Sequence, residues 1–277
     1  ISKLPGLDGQ KMSKSKGNFP NPWDILNKYG ADSTRFYLLS SPTLKAEDLC
    51  FSEKGVDEVS KKIVTRLDNV LSFYLLYKDS VHHLPEGGES PKILDKWIKA
   101  RLGETAESVT KSMEKYEIDR ATRPLADFIE DLSVWYLRRS RDRFKGDGED
   151  KKFALATLKF VLIEFSKILA PFMPFMAEHL YQIIHTNKHP SSSPSLPRGE
   201  EGWGGSVHLE SWPVSLVDYI HHDILKEMKE VRDVVSKALE LRAKAGIKVR
   251  QPLSLLRIKI QDSRFKNNTD LIQLIKD

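Results

Sequence analysis

Apolar residues recur at three- and four-residue steps along most of the chain, the spacing that gathers side chains on one face of an α-helix. Val56, Val59, Ile63, Leu67, Val70, Leu71 and Tyr74 predict a core-facing helix from about residue 53 to 77. Ile93, Trp97, Ile98, Leu102 and Val109 mark another, and Leu125, Phe128, Ile129, Leu132, Trp135 and Tyr136 a third, from roughly 119 to 144. Between about 150 and 170 the apolar positions Phe153, Leu155, Leu158, Val161, Leu162, Phe165 and Leu169 lie nearly all round the helix, which places it centrally in a bundle. Pro171 and Pro174 kink or restart this helix before it continues to about His185. A last long helix is expected from about 216 to 245, stopped by Gly246. After Val249, from Leu253 to Ile260, β-branched and Leu positions alternate with basic ones, the pattern of a short strand.

Turn formers punctuate these runs. Asn21 suits a helix N-cap, Pro22 the first helical position and Asp24 the positive end of the helix. Gly30 stops that short helix, and Asp32 can cap the next, which ends at Ser41-Pro42. Residues 79 to 91 read as a loop, Gly146-Asp147-Gly148 as a break, and the Ser-, Gly- and Pro-rich stretch 187 to 206 as a surface insertion without packed structure.

With 40% hydrophobic and 30% charged residues, the chain has material for a core and too many charges for a membrane protein. No run approaches the roughly 18 to 20 uncharged apolar residues of a span, and no signal peptide opens it, so the cytoplasm is the expected compartment. Cys50 stands alone, which excludes an internal disulfide or a cysteine-rich zinc site and suits a small apolar filler. His82-His83 and His221-His222 are adjacent pairs whose side chains diverge, so no metal site is expected. A start at Ile1 and a finish at Asp277 inside an apolar-periodic run suggest a piece of something longer.

The formal charge of +5 matters only where it is concentrated. Arg138, Arg139, Arg141 and Arg143 form one cluster and Arg242, Lys244, Lys248 and Arg250 a second, and both are candidate phosphate contacts. The first four could equally form ion pairs with Asp127, Asp131 or Asp142. Trp97 and Trp135 continue apolar stripes and read as core rather than stacking platforms.

Residues 1 to 20 form a Gly- and Pro-punctuated loop, in which Lys11 and Lys14 flank a small polar pair and can clamp a polyphosphate. An ammonium is a compact charge able to follow charge developing on a transferring phosphoryl or pyrophosphate oxygen. The string Lys11-Met12-Ser13-Lys14-Ser15 resembles the second signature of the class I aminoacyl-tRNA synthetases. That resemblance implies that these five residues bind ATP, with Mg²⁺, and that Lys11 and Lys14 stabilise the transition state for adenylate formation. The family's His-x-Gly-His motif is absent, as are the strands of its nucleotide fold, so the chain alone is not expected to activate an amino acid.

Trp23-Asp24-Ile25-Leu26, Tyr29-Gly30-Ala31-Asp32 and Arg35-Phe36-Tyr37-Leu38 resemble the stem-contact region of the isoleucine, leucine, valine and methionine enzymes. The run from Trp135 to Phe144 is similar to the isoleucine enzyme's anticodon-binding helix, and Ala245 to Leu253 to a later segment of it. The resemblance implies a mainly α fold: a lysine loop and stem-contact region over 1–50, an anticodon-binding helical bundle over 51–250, and the start of a junction domain with a short β segment over 251–277. It also implies isoleucine tRNA as partner, ATP and isoleucine as substrates handled with a missing catalytic half, and a monomer. The alternative is a stand-alone tRNA-binding module without catalytic activity.

Overall fold

The computed structural model describes residues 20–45, 47–49, 51–81, 90–186, 205–248, 251, 253 and 269–276, and among them it contains helices and no strand. The expected strand, the bulk of the 187 to 206 insertion, Cys50, His82-His83 and the lysine loop lie outside these residues.

Two short helices open the described chain. Helix α1 (Pro22–Tyr29) is capped by Asn21, whose side chain accepts the Trp23 N–H at 3.1 Å. Gly30, at φ +81°, turns the chain into α2 (Ala31–Leu39). Asp32 does not cap α2. Its carboxylate instead reaches the start of a distant helix, α9 (Pro174–Thr186), and accepts the Met176 N–H at 2.6 Å. Arg35 adds a second tie, donating to the Pro171 carbonyl at 3.0 Å. Helix α3 (Glu53–Val59) is fastened to α1 by Lys28 and Tyr29, which both contact Glu53.

The remaining helices build the bundle. Helix α3 passes through a π-helical turn, Ser60–Val64, into α4 (Thr65–Lys78). Helices α5 (Ile93–Glu114) and α6 (Ile118–Glu130) pack as a hairpin, and a second π-helical segment, Asp131–Leu137, joins α6 to α7 (Arg138–Lys145). Helix α8 (Glu149–Leu169) occupies the centre, with Leu155, Leu158, Val161, Leu162, Phe165 and Leu169 fully buried. The core joins them to Trp97, Leu102, Phe128 and Tyr136 from the surrounding helices.

The predicted helix from 216 begins later than its periodicity suggests. Val214–Tyr219 is a 3₁₀ segment lying across α5, and α10 (His222–Lys244) starts only after an extended Ile220-His221. The segment packs closely on α5: a methyl on Gly103 would run into the Leu216 carbonyl oxygen. The last described helix, α11 (Thr269–Lys276), packs on α10.

The π segment at Asp131–Leu137 sets which residues of α7 face inward. At 3.6 residues per turn, an uninterrupted α-helix would place Leu132, Tyr136, Arg139 and Arg143 along the core line. Burying two guanidiniums there is costly. The wider turn advances the phase by about one residue, so that Ser140 and Phe144 are buried and Arg139 and Arg143 move to the flanks.

Candidate nucleic-acid interface

The four arginines of the first cluster have separate fates. Arg138 and Arg141 are exposed on α7, on one stripe with Asp142 and Lys145, and have no ion pair among the described residues. Arg143 turns inward. Its guanidinium grips Asp95 through two bonds of 2.9 and 2.7 Å and reaches Asp150 at 2.9 Å. Asp95 is completely buried and also accepts the Tyr136 hydroxyl at 2.8 Å. Burial, with the Asp95 carboxylate beside it, holds the Tyr136 phenol well above its usual range. From the flank of α7, Arg143 is thus committed to ion pairs within the fold, and neither of its carboxylates was among the acidic partners anticipated from sequence.

Arg139 lies against an aromatic ring. Its guanidinium carbon is 3.7 Å from the centre of the half-buried Trp135 ring, and Arg232 of α10 approaches the same ring at 5.4 Å. An edge of Arg139 also donates to the Leu274 carbonyl of α11 at 3.4 Å. Asp131, one π-turn before Trp135, ion-pairs with Arg232 at 2.7 Å and accepts a bond from Arg101 Nε at 2.8 Å. Burial pushes this carboxyl up, against the opposing pull of Arg101 and Arg232. Trp135 therefore packs against the core while presenting an indole bracketed by guanidiniums.

The second cluster is divided as well. Arg242 bonds back to the carbonyls of Lys248 and Gln251, fastening the turn that follows α10. Lys244 pairs with Glu240 at 2.6 Å on the surface, and Lys248 is exposed. Arg250 lies outside the described residues, as do Lys11, Met12, Ser13, Lys14 and Ser15.

Arg101, Arg232 and Asp95 were missed in the sequence. Asp95 carried a usable signal, since it shares a helical face with Ile98 and Leu102, and a carboxylate in an apolar stripe needs a buried cation. Arg232 carried none, because its partner Asp131 is 101 positions away along the chain. Among the described residues no cluster of His, Cys, Asp and Glu is arranged to hold a metal ion, and no helix is long and apolar enough to cross a membrane.

Comparison with known proteins gives this geometry its context. Residues 95–259 match the anticodon-binding domain of tRNA ligases, and residues 6–50 match the class I tRNA synthetases for I, L, M and V. The isoleucine–tRNA ligase of Chlamydia trachomatis serovar D is 40% identical over 250 residues, which cover 89% of this chain and 23% of the relative. That of Chlamydia caviae is 38% identical over 276 residues, covering 98% of this chain and 25% of the relative. The chain spans about a quarter of the length of these relatives. A crystal structure of a LeuRS-tRNA-LeuAMS ternary complex from Agrobacterium radiobacter shares the fold, with a TM-score of 0.56 at 18% identity, covering 79% of this chain and 24% of that one. A family match over more than half of its length, ending beyond α10 and spanning the arginine-bearing helix, means that this chain belongs to the anticodon-binding domain family of class I tRNA ligases.

Proposed function

We propose that this chain is the anticodon-recognising part of an isoleucine–tRNA ligase, and that the surface of α7 around Arg138 and Arg141 meets the anticodon region of isoleucine tRNA. The observation that supports it most is the outward pair itself. These arginines are held on a helix whose Arg143 is anchored to Asp95 and Asp150, so their direction is fixed without using their own charge. A planar guanidinium binds phosphate through two parallel bonds, and both are available for it.

In this reading residues 1–50 form the tail of a catalytic domain, 51–250 the recognition bundle and 251–277 the start of a junction. Lys11 and Lys14 supply positive charge to the polyphosphate of Mg²⁺-bound ATP while isoleucine is activated, and the adenylate is then passed to the terminal ribose of the tRNA. The full enzyme would act as a cytoplasmic monomer. Lys244, Lys248 and Arg250 supplement the tRNA contacts, whereas Arg143 and Arg242 serve the fold.

Binding of isoleucine tRNA at fixed salt, beside the same tRNA with a substituted anticodon, tests this directly, because a purely electrostatic contact would not distinguish the two. A clear loss on anticodon substitution is expected. Equal binding of both would reduce the bundle to a basic surface.

A further inference from the structure

We infer that Lys45 and Asp119 are positioning residues for amino-acid activation, the step before transfer to tRNA: their ion pair completes a clamp by which the bundle holds the segment that follows the lysine loop. This rests on the ligase reading above and gives a residue of the anticodon-binding bundle a task that involves no tRNA contact.

Three polar contacts join the segment matching the class I synthetases to the one matching the anticodon-binding domain. Asp32 accepts the Met176 N–H at 2.6 Å, Arg35 donates to the Pro171 carbonyl at 3.0 Å, and Lys45 pairs with Asp119 at 2.7 Å. The first two meet the chain at the turn into α9, whereas Asp119 stands in the first turn of α6. A segment fastened at one corner can still turn about it, and a second fastening on another helix removes that rotation. The segment is also braced within itself. Lys28 and Tyr29 of α1 both hold Glu53, and the Tyr37 hydroxyl of α2 accepts the Ser52 N–H at 3.1 Å. A displacement at Lys45 is therefore passed to α1, and Lys14 stands shortly before Pro22, the first residue of that helix. The pair suits restraint better than stabilisation. Lys61–Asp57 and Lys111–Glu107 link neighbours on a single helix and restrain nothing between elements, whereas Lys45 reaches a buried carboxylate on a different helix and holds it below its ordinary pKa. With the lysine half-exposed, such a pair adds little to stability. Its geometric effect can be far larger, because a catalytic group misplaced by about 1 Å can lose about 100-fold in rate.

The deciding experiment is isoleucine-dependent ATP–pyrophosphate exchange, without tRNA, by the full-length ligase that carries this chain. Lys45→Met keeps the apolar stem and removes the charge, so it should lower kcat roughly tenfold with the KM for isoleucine unchanged. Lys45→Arg should restore most of the rate. Asp119→Asn should match Lys45→Met, and the double variant should be no slower than either single one, because the two residues act as one pair. Thermal melting of every variant should stay at the wild-type value. Exchange unchanged in Lys45→Met would overturn the clamp and leave the ligase reading standing. A loss of exchange that tracks a fall in melting temperature, with no rescue by Lys45→Arg, would also overturn it, reducing the pair to a structural contact. Absence of isoleucine-dependent exchange in the wild type would overturn the ligase reading itself.

Discussion

Asp32 on α2 accepts the backbone N–H of Met176 at 2.6 Å, so a carboxylate near the start of the chain caps a helix 144 residues later. The bond satisfies one of the N–H groups that the first turn of α9 leaves without an intrahelical partner, and it ties α2 to the bundle. Asp32→Ala should therefore lower stability by about 0.5 to 2 kcal/mol, read by urea denaturation.

The same carboxyl should report on pH. Burial raises the Asp32 pKa above its ordinary value, the Met176 and Phe175 amides opposing the rise. The folded state then takes up a proton at higher pH than the unfolded state does. Relative to Asp32→Asn, which cannot titrate, the wild type should gain stability as pH falls through the raised value, levelling off below the unfolded one. Urea melts of both proteins at neutral pH and at about pH 4 give the difference; a gap that widens against the wild type on acidification would contradict the burial argument.

Breaking the interior pair should be far more costly. Asp95 is fully buried, and removing Arg143 leaves its charge inside the bundle without a cation, whereas Arg143 would keep Asp150 if Asp95 were removed. Arg143→Met alone should cost about 3 to 5 kcal/mol. The double variant Asp95→Leu with Arg143→Met should recover a large part of that loss, because a buried ion pair is poorly stabilising relative to apolar groups of similar volume. A double-mutant cycle in denaturant measures the coupling, and additive single effects would rule out a direct pair.

These residues show what a linear reading could reach. The helix stripes were legible because burial has a 3.6-residue period: Leu67, Val70, Leu71 and Tyr74 all lie in the core where their spacing put them. Family membership was legible too, through long strings such as the run from Trp135 to Phe144. Pairing was not legible. Arg143 was grouped with Arg138 and Arg141 because they are neighbours in sequence, yet the π-turn and Asp95, 48 positions away, set it apart. The start of α10 was misplaced too, and the contact of Gly103 with Leu216 before it belongs to tertiary packing and leaves no periodic trace. Trp135 was expected to be core, and its half-buried position under two arginines reflects partners supplied by different helices.

Gly103 offers a stability test of that packing. A methyl there meets backbone, the Leu216 carbonyl, which cannot rotate away as a side chain could. Gly103→Ala should cost about 1 to 3 kcal/mol even though alanine is the better helix former. A neutral or stabilising result in thermal melting would mean that the 214–219 segment sits less tightly on α5 than described.

Tyr116 should respond in the opposite direction. It follows the end of α5 at φ +59°, where its N–H bonds to Met113 and the next N–H to Ser112, the hydrogen-bond pattern of a helix terminus that favours glycine. Its ring is 89% exposed, so little packing offsets the strained backbone. The left-handed conformation costs an L-residue about 1 to 2 kcal/mol, and glycine gives back roughly 0.5 to 1 kcal/mol through the greater freedom of the unfolded chain. Tyr116→Gly should therefore stabilise the protein by about 0.5 to 1 kcal/mol, raising the melting temperature by a few degrees. A fall in melting temperature would show that the exposed ring makes a contribution to the fold that outweighs its backbone strain.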